Sequence, residues 1–330
     1  MTGEKVLTGI CAVIFALSGL QAATQDSAAR QQGNKATPVP RFRSAVDVVS
    51  VAAVVRDRKG RFVKDLSKKD FEIVEGGLTR PILDFRAELN GPVKIGVLLD
   101  ISGSMRVGQR TEDAKAAARH IFASLTGADQ AAVYAFDTTL VEAQRFTWDR
   151  ERLNGALNRV EQPFGQTSLY DAIAQTASKV AAASSTAGAR QLPQRSAVVV
   201  ITDGVDTRSR MTPGEVSMAA SGIDVPVYIF AVVASVDDPR EYPEDRRVAA
   251  VAADLQELAR GTGGDLYISS TPAQASLAAR EIVGELRHQY LLAFEASSGA
   301  GWRPVEVRTR QARLVVRART GYSGGRGPSS

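Results

Sequence analysis

The run from Val93 to Leu99, broken only by Lys94 and Gly96, constrains this chain more than any other stretch. A half-buried strand alternates apolar with polar residues, whereas a near-continuous apolar run reads as a strand covered on both faces, as in a parallel sheet between helical layers. Asp100-Ile101-Ser102-Gly103-Ser104-Met105 follows at once, setting an acid and two hydroxyls on alternate residues where the strand ends and the chain turns. In open α/β sheets ligands bind at the carboxyl ends of the strands. Carboxylate and hydroxyl oxygens are hard ligands, suited to Mg²⁺, Mn²⁺ or Ca²⁺ rather than to a soft metal.

Two later stretches extend this pattern. Phe164-Gly165-Gln166-Thr167-Ser168-Leu169-Tyr170-Asp171 places a threonine just before a helix, and Ala197 to Gly204 is a second buried strand ending in Thr202, Asp203 and a glycine. Asp100, Ser102, Ser104, Thr167 and Asp203 thus come from three separate loops, each at a strand end or a helix start. In this order and spacing they resemble the metal-ion-dependent adhesion site (MIDAS) of von Willebrand factor type A (VWFA) domains: Asp-x-Ser-x-Ser, then a distant Thr, then a distant Asp. Gln166 departs from the glycine that many members of that family carry before the threonine.

The resemblance implies a doubly wound, Rossmann-like, mainly parallel sheet. It implies that Ser102, Ser104 and Thr167 bind the metal directly, while Asp100 and Asp203 act mainly through water. Neutral hydroxyl ligands leave the ion much of its charge. One coordination position then faces solvent, where an Asp or Glu carboxylate from a protein partner can fill it.

The remainder of the chain frames that domain. Residues 1–23, with Lys5 before an apolar core from Val6 to Leu20 and small residues at Gln21-Ala22-Ala23, read as an export signal. The core is short of the roughly 20 apolar residues that a membrane span needs, so cleavage, with no stable span afterwards, is expected. Residues 24–44 read as a flexible linker. Residues 45–90 are β-rich, with turns at Asp57-Arg58-Lys59-Gly60 and Gly76-Gly77. Residues 91–288 alternate strands and helices, with Val141 to Phe146 as an edge strand. Residues 289–322 return to strands, with a turn near Gln311, and 323–330 form a Gly/Ser-rich tail expected to be disordered. Each β segment is too small to bury a core alone. The two are therefore expected to pair into one small β-sandwich with the VWFA domain inserted between them. In this arrangement the stretch from Ala45 to Tyr322 resembles exported bacterial VWFA-related proteins, and a periplasmic, cell-surface or secreted location follows.

Several classes are excluded. The formal net charge of +5 on 330 residues is mild, and no zinc spacing, basic helix or aromatic-interleaved basic sheet points to nucleic acid. There is one cysteine, Cys11, inside the apolar N-terminal stretch, so neither a disulfide framework nor a thiolate metal site is possible. No Gly-rich Lys loop holds nucleotide phosphates and no Gly-x-Ser-x-Gly turn presents a nucleophile. His120 and His288 are read as structural, Ser168 and Asp171 as capping-box residues for the helix that Leu169 opens, and Asp137 and Asp206 as solvated loop acids. The leading reading is an exported, metal-dependent protein-binding module. The alternatives are an envelope component whose metal only stabilises the loops and, behind it, a Mg²⁺-dependent hydrolase.

Overall fold

The fold is seen in a computed structural model that describes residues 48–87, 91–160, 164–185, 195–233 and 246–324. The expected signal and linker lie outside the described residues, as do most of the charged loop from Asp237 and the end of the tail.

The α/β part is built on a six-stranded sheet. Its strands, in chain order, are β5 (Val93–Asp100), β6 (Gln130–Phe136), β7 (Leu140–Thr147), β8 (Arg195–Thr202), β9 (Val227–Val232) and β10 (Leu266–Ser269). They lie in the order β10-β9-β8-β5-β6-β7. Every pair is parallel except β6 with β7, so the expected edge strand is an antiparallel edge. Helices α1 (Arg110–Ser124), α2 (Arg150–Arg159) and α6 (Pro272–Arg287) cover one face; α3 (Leu169–Ser185), α4 (Pro213–Gly222) and α5 (Arg246–Gly261) cover the other.

All eight residues of β5 are buried. Ile95, Val97 and Leu99 pack under α1 and α6, while Leu98 packs under α3. This two-sided cover is why the run is apolar at nearly every position. Gly96 has its own reason: a Cβ there would stand 2.6 Å from Val180 Cγ2, so α3 approaches the sheet as closely as it does because no side chain intervenes. Lys94 is accommodated by snorkelling. Its Nζ donates to the Ala183 carbonyl at 2.9 Å and lies 5.1 Å from the Phe146 ring centre, and burial lowers its pKa.

The flanking segments form two four-stranded sheets. Before the α/β part come β1 (Val48–Arg56), β2 (Phe71–Glu75), β3 (Leu78–Arg80) and β4 (Ile82–Arg86); after it come β11 (Tyr290–Glu295), β12 (Gly301–Thr309), β13 (Val315–Ala318) and β14 (Gly321–Gly324). One sheet has the order β13-β1-β11-β4 and the other β14-β12-β2-β3. Each therefore takes two strands from either side of the insertion. Their inner faces share one core, with Val51, Phe71, Ile73, Leu292, Phe294, Val307 and Tyr322 among its residues. The anticipated sandwich is present.

The turn near Gln311 is present, and the strands on either side of it go to different sheets: β12 joins β2 and β14, while β13 crosses to β1. One boundary corrects the sequence reading. The strand pattern continues past Tyr322: Ser323 and Gly324, expected in the tail, pair with Trp302 and Gly301. Neither residue favours a strand intrinsically, and the β12 backbone supplies what propensity does not.

Candidate metal site

Strand β5 sits where the chain's winding reverses, between β6 and β8. The loops beyond such a reversal open a crevice at the carboxyl ends of the strands. The parallel register sets Leu99 beside Ile201, so Asp100 and Thr202 end neighbouring strands. Thr202 Oγ1 donates to Asp100 Oδ2 at 2.6 Å and accepts from the Gly204 N–H at 2.9 Å. The other oxygen, Asp100 Oδ1, accepts the Ser102 N–H at 2.8 Å. The Asp100 carboxyl is fixed by both strands and buried. Burial pushes its pKa up to about 6, with the neighbouring Asp203 charge adding to the rise and the bonds from Thr202 and Ser102 opposing it.

After Asp100 the chain makes a short 3₁₀ turn, Gly103–Arg106, before entering α1. Ser102 Oγ and Ser104 Oγ are 3.1 Å apart, and Ser102 is fully buried. The Gly103 N–H donates to the Gly165 carbonyl at 2.9 Å, and the Phe164 N–H to the Ile101 carbonyl at 3.0 Å. A Cβ on Gly103 would meet that Gly165 oxygen at 2.9 Å. The first two loops are thus in backbone contact.

The third loop holds the second. The Thr167 N–H donates to Thr207 Oγ1 at 2.9 Å, and its carbonyl accepts from the N–H groups of Thr207 and Arg208 at 3.0 and 2.8 Å. These bonds all run through the Thr167 backbone. Arg208 Nε also donates to Gln166 Oε1, so the residue that departs from the family's glycine is tied down. All five candidate ligands are therefore gathered at one end of the sheet.

Other side chains act differently from expectation. Asp171 does not complete a capping box; its carboxylate accepts the N–H groups of Arg210 and Met211 at 3.0–3.1 Å. Asp206 is not a merely solvated acid. Its Oδ1 accepts the Leu169 N–H at 2.8 Å, and Ser209 Oγ accepts those of Tyr170 and Asp171 at 2.9 and 3.3 Å. The first turn of α3 is capped from the loop after β8 because that loop already lies against it. His288 stacks on Phe62 with ring centres 4.8 Å apart, in keeping with a structural role.

The residue that sequence reasoning missed is Arg110. It opens α1, and its Nη1 donates to Asp203 Oδ2 at 3.0 Å and to the Ser104 carbonyl at 3.3 Å. The Asp203 side chain is only 2% exposed beneath it. A cation one turn beyond Ser104 was visible in the sequence as a helix-start arginine, with nothing to show which acid it would meet. Thr202, whose hydroxyl fixes Asp100, was missed as well.

The donor set fits a hard cation: the three loops in contact supply three hydroxyls and two carboxylates, and the carboxylates are already oriented by protein donors. Among the described residues no group of three or more His, Cys, Asp or Glu could hold a metal, so a site here draws on the hydroxyls.

Residues 95–205 match the profile described as von Willebrand factor type A domain, and that stretch is a domain of this type. No curated protein matches the chain. Among solved structures, BatB from Bacteroides thetaiotaomicron is 19% identical, over 59% of this chain and 98% of that one, with a TM-score of 0.46. A von Willebrand factor type A protein from Catenulispora acidiphila is 14% identical, over 86% and 74%, at 0.46. The pilus adhesin SpaC from Lactobacillus rhamnosus GG is 10% identical, over 77% and 47%, at 0.45. Likeness at this level carries no residue role or activity across.

Proposed function

We propose that the chain is an exported protein-binding module whose site takes a divalent cation, Mg²⁺ in the first instance, and through it an acidic side chain of a protein partner. The observation that supports this reading is that the loops carrying Ser102 and Ser104, Thr167, and Asp203 touch one another at the end of the sheet where the Asp100 and Asp203 carboxylates are buried. Such a site, when loaded, supplies a positive, incompletely coordinated position at the protein surface. Ser102, Ser104 and Thr167 provide neutral oxygens, while Asp100 and Asp203 orient the hydroxyls and waters around them.

The rim supports a protein partner. Each of the three loops carries an exposed apolar side chain: Val107 at 56%, Phe164 at 77% and Val205 at 41%. Exposed Arg106, Arg208 and Arg210 lie in the same loops. An apolar and basic rim around a carboxylate-seeking centre matches a partner segment with an Asp or Glu flanked by apolar residues. Export rests on the pattern of residues 1–23. Among the described residues no helix is long and apolar enough to cross a membrane.

Thr167→Ala tests the reading cleanly, because the bonds that hold this loop use the Thr167 backbone. Calorimetric titration of the wild type with Mg²⁺ and Mn²⁺ is expected to give saturable heat. The folded variant should lose about tenfold or more in affinity, the usual scale for removing one ligand group. A folded wild type that gives no heat with either ion refutes the metal site. An equal affinity in the variant removes Thr167 from it.

A further inference from the structure

We infer that Arg110 is a built-in counter-cation of the candidate metal site, holding Asp203 in the metal-free state and leaving it when a divalent ion binds. The inference rests on the metal-site reading above and concerns how that site is regulated.

Three observations carry it. First, Arg110 Nη1 is 3.0 Å from Asp203 Oδ2, and the pair is largely withdrawn from solvent, with side-chain exposures of 14% and 2%. Second, the guanidinium also reaches the Ser104 carbonyl at 3.3 Å. It therefore bridges the first loop, which carries Ser102 and Ser104, and the third, which carries Asp203. Third, the other Asp203 oxygen is engaged by the Val205 N–H at 3.2 Å. Both Asp203 oxygens are thus engaged, Oδ2 by the arginine that also reaches the first loop.

Two cations cannot share that oxygen without cost. A divalent ion with its water shell needs the Asp203 oxygen that Arg110 occupies, and like charges a few ångströms apart in a poorly solvated site repel strongly. Metal binding therefore includes breaking the Arg110–Asp203 pair. This lowers affinity, and it lets the empty site keep its two buried carboxylates together by pairing one of them. Three residues separate the Gly103–Arg106 turn from Arg110, which opens α1 and holds Asp203 through its side chain alone, so release asks for that side chain to swing away.

The test is Mg²⁺ titration of the full chain as wild type and as Arg110→Gln, which keeps a hydrogen-bonding side chain and removes the charge. Arg110→Gln is expected to bind Mg²⁺ about tenfold or more tightly, the scale of losing one nearby like charge. The rise in melting temperature on adding Mg²⁺ should likewise be larger in the variant. A second readout needs no variant: in ¹⁵N spectra of the wild-type arginine side chains, Mg²⁺ should shift one guanidinium signal strongly. If wild type and variant bind Mg²⁺ equally, or the variant binds more weakly, Arg110 is not a competitor and the inference fails while the metal site stands. Mg²⁺ binding without any arginine signal moving overturns it in the same way, even where Arg110→Gln does not fold. If neither protein binds Mg²⁺ or Mn²⁺, the metal site itself fails and takes this inference with it.

Discussion

Two buried carboxylates give this protein opposite responses to pH. Asp100 has a folded-state pKa raised to about 6, first through burial and then through Asp203. A group raised in the folded state is most favourable when protonated, below its ordinary value near 3.8, and that contribution is lost as pH rises through about 6. Without metal, this group makes the protein less stable at neutral pH than at pH 5. With metal, the proton and the cation compete. Added Mg²⁺ should therefore raise the melting temperature at about pH 7.5 and do little at about pH 5, where Asp100 is protonated. An equal Mg²⁺ effect at both values contradicts this account of Asp100. Glu75 behaves in the other sense. Burial alone would raise its pKa, but bonds from Ser297 and Tyr322, with the Arg80 charge at 2.7 Å, hold it down at about 2. Its contribution is present above its ordinary value near 4.5 and is lost as pH falls toward 2. Glu75→Gln should cost about 2 kcal/mol at pH 7 by denaturant unfolding, the worth of hydrogen bonds to a charged acceptor, with the difference shrinking in acid. The sequence marked Asp100 by its place after a buried strand. It could not mark Glu75, whose partners Ser297 and Tyr322 lie more than two hundred positions away.

At the scale of elements, strand β5 and the start of α3 at Leu169 were legible and the cap of α3 was not, for one physical reason. Burial on two faces writes itself into the strand's own residues, whereas the α3 cap is written in Asp206 and Ser209, residues of another loop. Asp206→Ala should destabilise the protein by about 1 kcal/mol, as loss of a helix cap does. Because the same loop holds Thr167, it should also weaken Mg²⁺ binding. A stability loss with metal affinity untouched would mean that the α3 cap and the Thr167 loop are independent. Gly96 makes a second case. Its lone break in an apolar run was plain to see, but the reason for it, contact with Val180, requires the packed helix. Gly96→Ala should cost about 1–3 kcal/mol by overpacking, and Val180→Ala in the same chain should return part of that loss. Full additivity of the two changes would contradict the contact.

At the scale of the molecule, the flanking strands make sense only together. Neither half could form a stable sheet alone, and this need is what made the sandwich foreseeable before any coordinates. The interleaving was not foreseeable: β11 lies between β1 and β4, and β12 between β14 and β2. Hydrophobic alternation says which face of a strand is buried, and nothing in it names the neighbour. Buried Glu285 of α6 adds a tie between the inserted domain and the sandwich, accepting from Arg56 of β1 at 2.7 Å and from Arg317 of β13. A chain truncated after Arg287 lacks β11–β14, so it leaves β1 and β2 without their central partners. It should fail to give a soluble monomer that unfolds cooperatively, as judged by gel filtration and thermal melting. A well-behaved truncated monomer would show that the sandwich is dispensable.

On the proposed reading, three loops together hold a divalent cation through hydroxyl oxygens. Anomalous diffraction from crystals of the full chain soaked in Mn²⁺ tests it most directly, because manganese takes the same oxygen ligands and is visible by its own scattering. One strong peak is expected within bonding distance of the Ser102, Ser104 and Thr167 hydroxyls, with Arg110 withdrawn from Asp203. Well-ordered loops with no peak among those hydroxyls at millimolar Mn²⁺ would contradict that reading.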